Sequence, residues 1–166
     1  MTADPFTPII EMTGFRPSVA ALWARYRALE PAAPTVLPCV EYFCDNARDA
    51  DLCADLVQSG RKRATSSALI DYQRAGDPLP LPGKLLIVTD WAGEAKALIR
   101  THSVTVRRFD DVPEIFARLE GEGDLSPVSW RAEHRAFWNR LLMDAGVVVD
   151  GDFQVVCEEF ELLLAT

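Results

Sequence analysis

Residues 77–106 read DPLPLPGKLLIVTDWAGEAKALIRTHSVTV. Pro78, Pro80 and Pro82 followed by Gly83 exclude regular structure, so the stretch opens as a loop. The apolar run at 84–89 then predicts a strand, and Asp90–Glu94, with its glycine, suits a hairpin loop. The return strand at 97–106 places Leu98, Arg100, His102, Val104 and Val106 on one parity, as a half-buried strand requires. A hairpin at mid-chain with helical patterns on both sides, no βαβ alternation and no glycine-rich phosphate loop points to an α+β domain with a small, mostly antiparallel sheet or barrel.

On the N-terminal side, a helix is expected from Ser18, as cap, to Leu29, with Val19, Leu22, Trp23 and Tyr26 on one face. It is stopped by the proline-rich 31–38 stretch. A short strand at 40–43 follows. A helix at 46–59 has Leu52, Cys53, Leu56 and Val57 at helical spacing and Gly60 just beyond it. Another short helix is expected over 67–75, ended by Gly76. On the C-terminal side, Asp111 is placed as cap of a helix over 113–119. Ser126-Pro127 starts a longer one running to about Ala145, and a strand over 154–164 closes the chain. The two helices of 113–145 read as an insertion over one end of the sheet. Residues 1–38 are an approach segment and 39–166 the domain.

The chain has 166 residues, 49% of them apolar and 25% charged, which suits one globular domain. A formal charge of −8 argues against duplex DNA or other duplex nucleic acid as partner, since such binding depends on neutralising phosphates. It leaves room for a small nucleoside or a short single-stranded RNA. No apolar run spans a membrane, and the N-terminal MTADPFTPIIEM lacks the basic and apolar regions of a secretory signal. The four cysteines, Cys39, Cys44, Cys53 and Cys157, form no CxxC and share no ligand spacing with His102 and His134, so neither zinc nor another cofactor is expected. Reduced thiols in a cytoplasmic protein are the plain reading.

Three segments carry groups suited to chemistry. Gly60-Arg61-Lys62-Arg63-Ala64-Thr65-Ser66-Ser67 sets three cations and three hydroxyls after a helix end. It is either a solvated basic turn or a pocket in which Thr65 is an activated hydroxyl and Lys62 its proton acceptor or an anion stabiliser. Glu120-Gly121-Glu122-Gly123-Asp124-Leu125-Ser126 alternates carboxylates with glycines ahead of a capped helix, either as a flexible acidic loop or as a held general acid or base. Along the following helix, Trp130, His134, Phe137, Trp138, Leu141 and Leu142 form one apolar stripe. Such a stripe is either core or, at Trp130 and His134, a surface on which a base stacks.

Together with Leu79-Pro80-Leu81-Pro82-Gly83-Lys84, Phe116–Asp124, the Ser129-Trp130-Arg131-x-x-His134-x-x-Phe137-Trp138 pattern and the closing Val155–Leu162, these segments resemble the ASCH domain family over about residues 40–163. The N-terminal helix suits its longer bacterial members. The resemblance implies a PUA-like β-barrel with flanking helices, a fold shared with RNA-binding domains. It also implies a pocket in which Lys62, Thr65 and Glu120 hydrolyse the N4-acetyl group of acetylated cytidine. No metal is expected in that site, and Arg63, Ser66, Ser126, Trp130 and His134 are expected around the substrate. Ribonuclease action on single-stranded RNA, or non-catalytic RNA or nucleotide binding, is the alternative. Many members read Gly-x-Lys-Thr-x-Thr. Here Arg63 replaces the first threonine, which enlarges and charges the rim.

Two proton routes follow. Either a neutral Lys62, its pKa depressed by burial and by Arg61 and Arg63, takes the proton of Thr65, or Glu120 holds Lys62 as an ammonium and is itself the base. The flanking arginines tilt the sequence reading towards the neutral lysine.

Overall fold

In a computed structural model the described residues are 14–166; residues 1–13, the start of the expected approach segment, lie outside them. The chain forms helix α1 (Pro17–Leu29), strand β1 (Cys39–Glu41), helix α2 (Ala47–Gln58), β2 (Ala64–Ala68), α3 (Leu69–Ala75), β3 (Leu85–Thr89), β4 (Ala95–Arg108), α4 (Glu114–Glu120), α5 (Pro127–Leu141) and β5 (Gln154–Ala165), with short 3-10 turns at Phe109–Asp111 and Met143–Ala145. The sheet order is β1-β3-β4-β5-β2. β1 runs parallel to β3, whereas β3 with β4 and β2 with β5 are antiparallel. The class is α+β, as the central hairpin predicts.

Contacts divide the chain into two compact units. The first comprises the described residues up to Ser59, Leu85–Arg100 and Leu162–Thr166. Its core packs Val19, Leu22 and Trp23 of α1 with Ile87, Ala95 and Leu98, and Tyr26, Leu37 and Val40 border it. The expected cap of α1 is corrected here. Ser18 lies inside the first turn, Pro17 opens the helix, and the Ser18 hydroxyl instead donates to Glu94 Oε2 at 2.6 Å. In α2, Ala50, Cys53, Ala54 and Val57 recur at i, i+3, i+4 and i+7 and are buried. Asn46 caps this helix by accepting from the Asp49 N–H at 3.0 Å.

The second unit comprises Gly60–Lys84 and Thr101–Glu161. Its apolar core joins Ala64 and Ala68 of β2 and Val155 and Cys157 of β5 with Phe109, Phe116, Trp130, Trp138 and Phe153. Two expectations change in this unit. Residues 64–68 form a strand, so the helix expected at 67 starts at Leu69. Asp111 ends a 3-10 turn rather than capping α4, whose N-cap position is taken by Pro113. Leu81-Pro82-Gly83-Lys84 closes as a turn in which the Lys84 N–H donates to the Leu81 carbonyl and Gly83 has φ +94°. Proline second and glycine third are what a type II turn requires. The Gly83 N–H then donates to the Thr101 carbonyl, and the Thr101 N–H donates to that of Lys84, a glycine bulge that sets Lys84 opposite Thr101.

Candidate active site

The ladder between β2 and β5 sorts the hydroxyls of the 60–67 segment. Ala64 pairs with Glu159, Thr65 with Glu158, Ser66 with Cys157, Ser67 with Val156 and Ala68 with Val155. Directly opposed residues share a face and successive residues alternate. Ser66 therefore lies on the face of Cys157 and of the aromatic core, and Thr65 on the other face, with Glu158.

On the Ser66 face, Lys62 is buried to 1% exposure. Its Nζ donates to Glu120 Oε2 at 3.1 Å, to the Glu120 carbonyl at 3.5 Å, and to Glu122 Oε1. Every one of these partners is an acceptor, so the cage holds an ammonium. This corrects the tilt towards a neutral lysine: two carboxylates in contact outweigh two arginines that are merely adjacent in sequence.

Glu120, the last residue of α4, is equally buried. Its Oε1 accepts from Trp130 Nε1 at 3.1 Å, and its Oε2 lies 3.6 Å from His134 Nε2. Burial alone would push its carboxyl up. The charges of Lys62 and His134 and the nearby Ser66 hydroxyl outweigh that and hold it well below the usual carboxylate range. Ser66 Oγ itself is buried with no hydrogen-bond partner, so its part is a nearby dipole rather than a formed bond. Glu122, whose side chain is 23% exposed, is the one carboxylate of the cluster that reaches solvent.

His134 Nδ1 lies 2.9 Å from the Trp130 carbonyl, which can only accept, so Nδ1 carries a proton. A neutral ring would then turn the Nε2 lone pair towards the Glu120 carboxylate. Burial pushes the His134 pKa down, but the charges of Glu120 and Glu122 and the hydrogen bonds to Glu120 and Trp130 raise it above its ordinary value. Its ring stacks on Trp130 with centroids 4.2 Å apart.

Several expected site residues are thus placed differently. Trp130, only 5% exposed and flanked by His134, Phe109 and Phe116, is a core residue and a donor to Glu120, not an open stacking surface. Ser126 caps α5, its hydroxyl accepting from the Ser129 N–H at 3.1 Å. Arg63 packs its guanidinium beside Gly60, and its Nη1 is buried without a hydrogen-bond partner. Thr65 makes no side-chain hydrogen bond to Lys62 or Glu120 among the described residues; the ladder sets it away from both.

Gly121 makes the close approach possible. It has φ +73°, and a Cβ there would stand 2.8 Å from the Arg61 carbonyl oxygen. The Arg63 N–H donates to the Leu119 carbonyl at 2.6 Å beside it, so the end of α4 lies directly on the 61–63 backbone. Sequence reasoning missed Glu122 as a partner of Lys62, although the alternation of glutamates with glycines was its signal. It also missed Glu158.

The sequence profile of the ASCH domain family matches residues 39–164. The chain belongs to the ASCH domain family. This ASCH domain is similar to the crystal structure of the ASCH domain from Lactobacillus crispatus JV V101, with 30% identity and a TM-score of 0.82 over 91% of this chain and 97% of that one. It is also similar to that of protein EF3133 from Enterococcus faecalis V583, with 29% identity and a TM-score of 0.79 over 88% of each chain. No curated protein matches. Among the described residues, no helix of the ASCH domain is long and apolar enough to cross a membrane, and no group of three or more His, Cys, Asp or Glu side chains is arranged to hold a metal ion.

Proposed function

We propose that this ASCH domain hydrolyses a small amide on an N-acylated nucleoside such as N4-acetylcytidine, with Thr65 as the attacking group. The observation that carries the reading is the buried Lys62–Glu120–Glu122 cluster, which clamps the segment leading into β2 to the end of α4 three residues before a threonine whose hydroxyl is unengaged among the described residues. A lysine this deeply buried persists only with its charge compensated. Because Lys62 is held as an ammonium, it is not the proton acceptor for Thr65. Glu120, fully engaged and held charged, is a poor acceptor as well. Both act by fixing where β2 begins, and Glu122 offers a partly exposed carboxylate at the edge of the cluster.

Purified protein is incubated with N4-acetylcytidine and, separately, with a short single-stranded RNA, and both mixtures are analysed by chromatography. Release of cytidine and acetate, lost in Thr65→Ala, supports the reading. An untouched acetylcytidine with a shortened RNA transfers the assignment to ribonuclease action. Retention of intact RNA on the protein, with neither substrate changed, transfers it to non-catalytic binding.

A further inference from the structure

A carboxylate lies opposite Thr65 on its own face of the sheet. Glu158, directly across the ladder, is 6% exposed, and among the described residues no cation pairs with it. Its Oε1 accepts from Thr101 Oγ1 at 2.9 Å. Opposed residues of an antiparallel pair have Cβ atoms ~4.5–5.5 Å apart, within which a glutamate reaches a threonine hydroxyl. Buried carboxylates are ordinarily paired with a cation or saturated with donors, and this one is neither. The other hydroxyls here are taken: Ser67 Oγ lies 3.1 Å from the Tyr72 hydroxyl, and Thr101 is committed to Glu158. Among the described residues, Thr65 alone of the three makes no side-chain hydrogen bond. Lys84, set opposite Thr101 by the glycine bulge, shares the face and makes no ion pair among the described residues.

A hydroxyl, a carboxylate within its reach and a third group orienting that carboxylate form the arrangement of an activated nucleophile. We infer that Glu158 is the catalytic proton acceptor for Thr65, and that Thr101 is the positioning residue that aims it. The inference rests on the amide-hydrolase reading and supplies the base that Lys62 is not. Thr65 Oγ1 bonds to the acyl carbon as its proton passes to Glu158. The carbon–nitrogen bond breaks as Glu158 returns that proton to the departing amine. Water then attacks the threonyl ester, its proton passing to Glu158 and from there to Thr65 Oγ1 as the carboxylic acid leaves. The sum is amide plus water giving acid plus amine, with no further reactant.

The test uses p-nitrophenyl acetate, an acetyl donor that needs no nucleoside recognition, with rapid acid quenching and peptide mass spectrometry. Wild-type protein is expected to carry one acetyl group on Thr65. Glu158→Gln, nearly the same in shape, should acylate roughly 100-fold or more slowly, the scale of a lost general base. Thr101→Val should slow acylation about tenfold and Thr101→Ser should restore it, which a loss of packing alone would not do. A Thr65 that carries no acetyl group, or a folded Glu158→Gln that acylates Thr65 at the wild-type rate, overturns the inference. If Glu158→Gln does not fold, equal rates in the Val and Ser variants at Thr101 overturn it instead. N4-acetylcytidine run in parallel separates the two claims. Its hydrolysis undiminished in Glu158→Gln sinks the base and leaves the reading. Glu158-dependent acylation of Thr65 in a protein inert towards acetylcytidine sinks the reading and leaves the pair.

Discussion

The two faces of the β2–β5 ladder treat buried charge in opposite ways. On the Ser66 face, Lys62, Glu120, Glu122 and His134 neutralise one another beneath aromatic side chains, and nearly every polar atom has a partner. On the Thr65 face, one carboxylate, Glu158, is held by a single hydroxyl. A cluster whose charges are saturated is set up to hold geometry. A buried carboxylate with acceptor capacity left over is set up to engage a further donor. One residue step along β2 separates these roles.

Several perturbations would break or sharpen that contrast. Lys62→Met leaves Glu120 and Glu122 without their cation and should cost about 3–5 kcal/mol, the penalty for half of a buried ion pair, read as a shift in the denaturant midpoint. Glu158→Gln, on the other face, should stay within about 1 kcal/mol of wild type. Equal losses would erase the distinction. Gly121→Ala forces a side chain into a left-handed conformation and against the Arg61 carbonyl, for an expected loss of about 1–3 kcal/mol with activity falling alongside.

A third test uses pH. The raised pKa of His134 means that its contribution to stability is fully present below the ordinary histidine range and is lost as pH rises through the folded-state value. The lowered pKa of Glu120 works in reverse: its contribution is present above the unfolded carboxylate range and is lost as pH falls towards the folded value. The gap in melting temperature between wild type and His134→Gln should therefore be widest near pH 6 and should narrow at higher pH. A gap independent of pH would mean that His134 contributes packing alone.

The smallest effect is in thiol reactivity. Burial, with the charges of Glu120 and Glu159, pushes the Cys157 thiol up to about 12. In the folded protein at pH 8, iodoacetamide should modify exposed Cys39 and spare Cys157, as followed by peptide mass spectrometry. Rapid labelling of Cys157 would show that the Ser66 face opens readily.

The central hairpin, the long α5 stripe and the convergence of Lys62 with Glu120 were legible because each rests on a strong local signal: proline and glycine punctuation, helical spacing or a motif. The strand at Ala64–Ala68 was not. Its residues, Ala-Thr-Ser-Ser-Ala, have no bulky β-branched or aromatic side chain apart from one threonine. The strand exists because the strongly β-forming β5 pairs with it from about ninety positions away along the sequence. Without that ladder the parity of residue 65 is undefined, so nothing local distinguishes a threonine beside Lys62 from one facing Glu158. Trp130 illustrates the same limit: helical spacing identified its stripe, but only the Glu120 contact reveals the use of its indole N–H.

The division of the chain also orders its assembly in time. The first unit is closed by Leu162–Thr166, whereas the second uses nothing beyond Glu161. On a ribosome emitting residues from the N-terminal end, every residue of the second unit is made before that five-residue piece. The partners of the Lys62 clamp are all made by position 122, whereas Thr65 gains its ladder partner Glu158 only when β5 is made. The buried core around α1 draws on nothing beyond Leu98, so the half built on the earliest-made helix can pack first, and the half that carries the candidate chemistry waits for the closing strand.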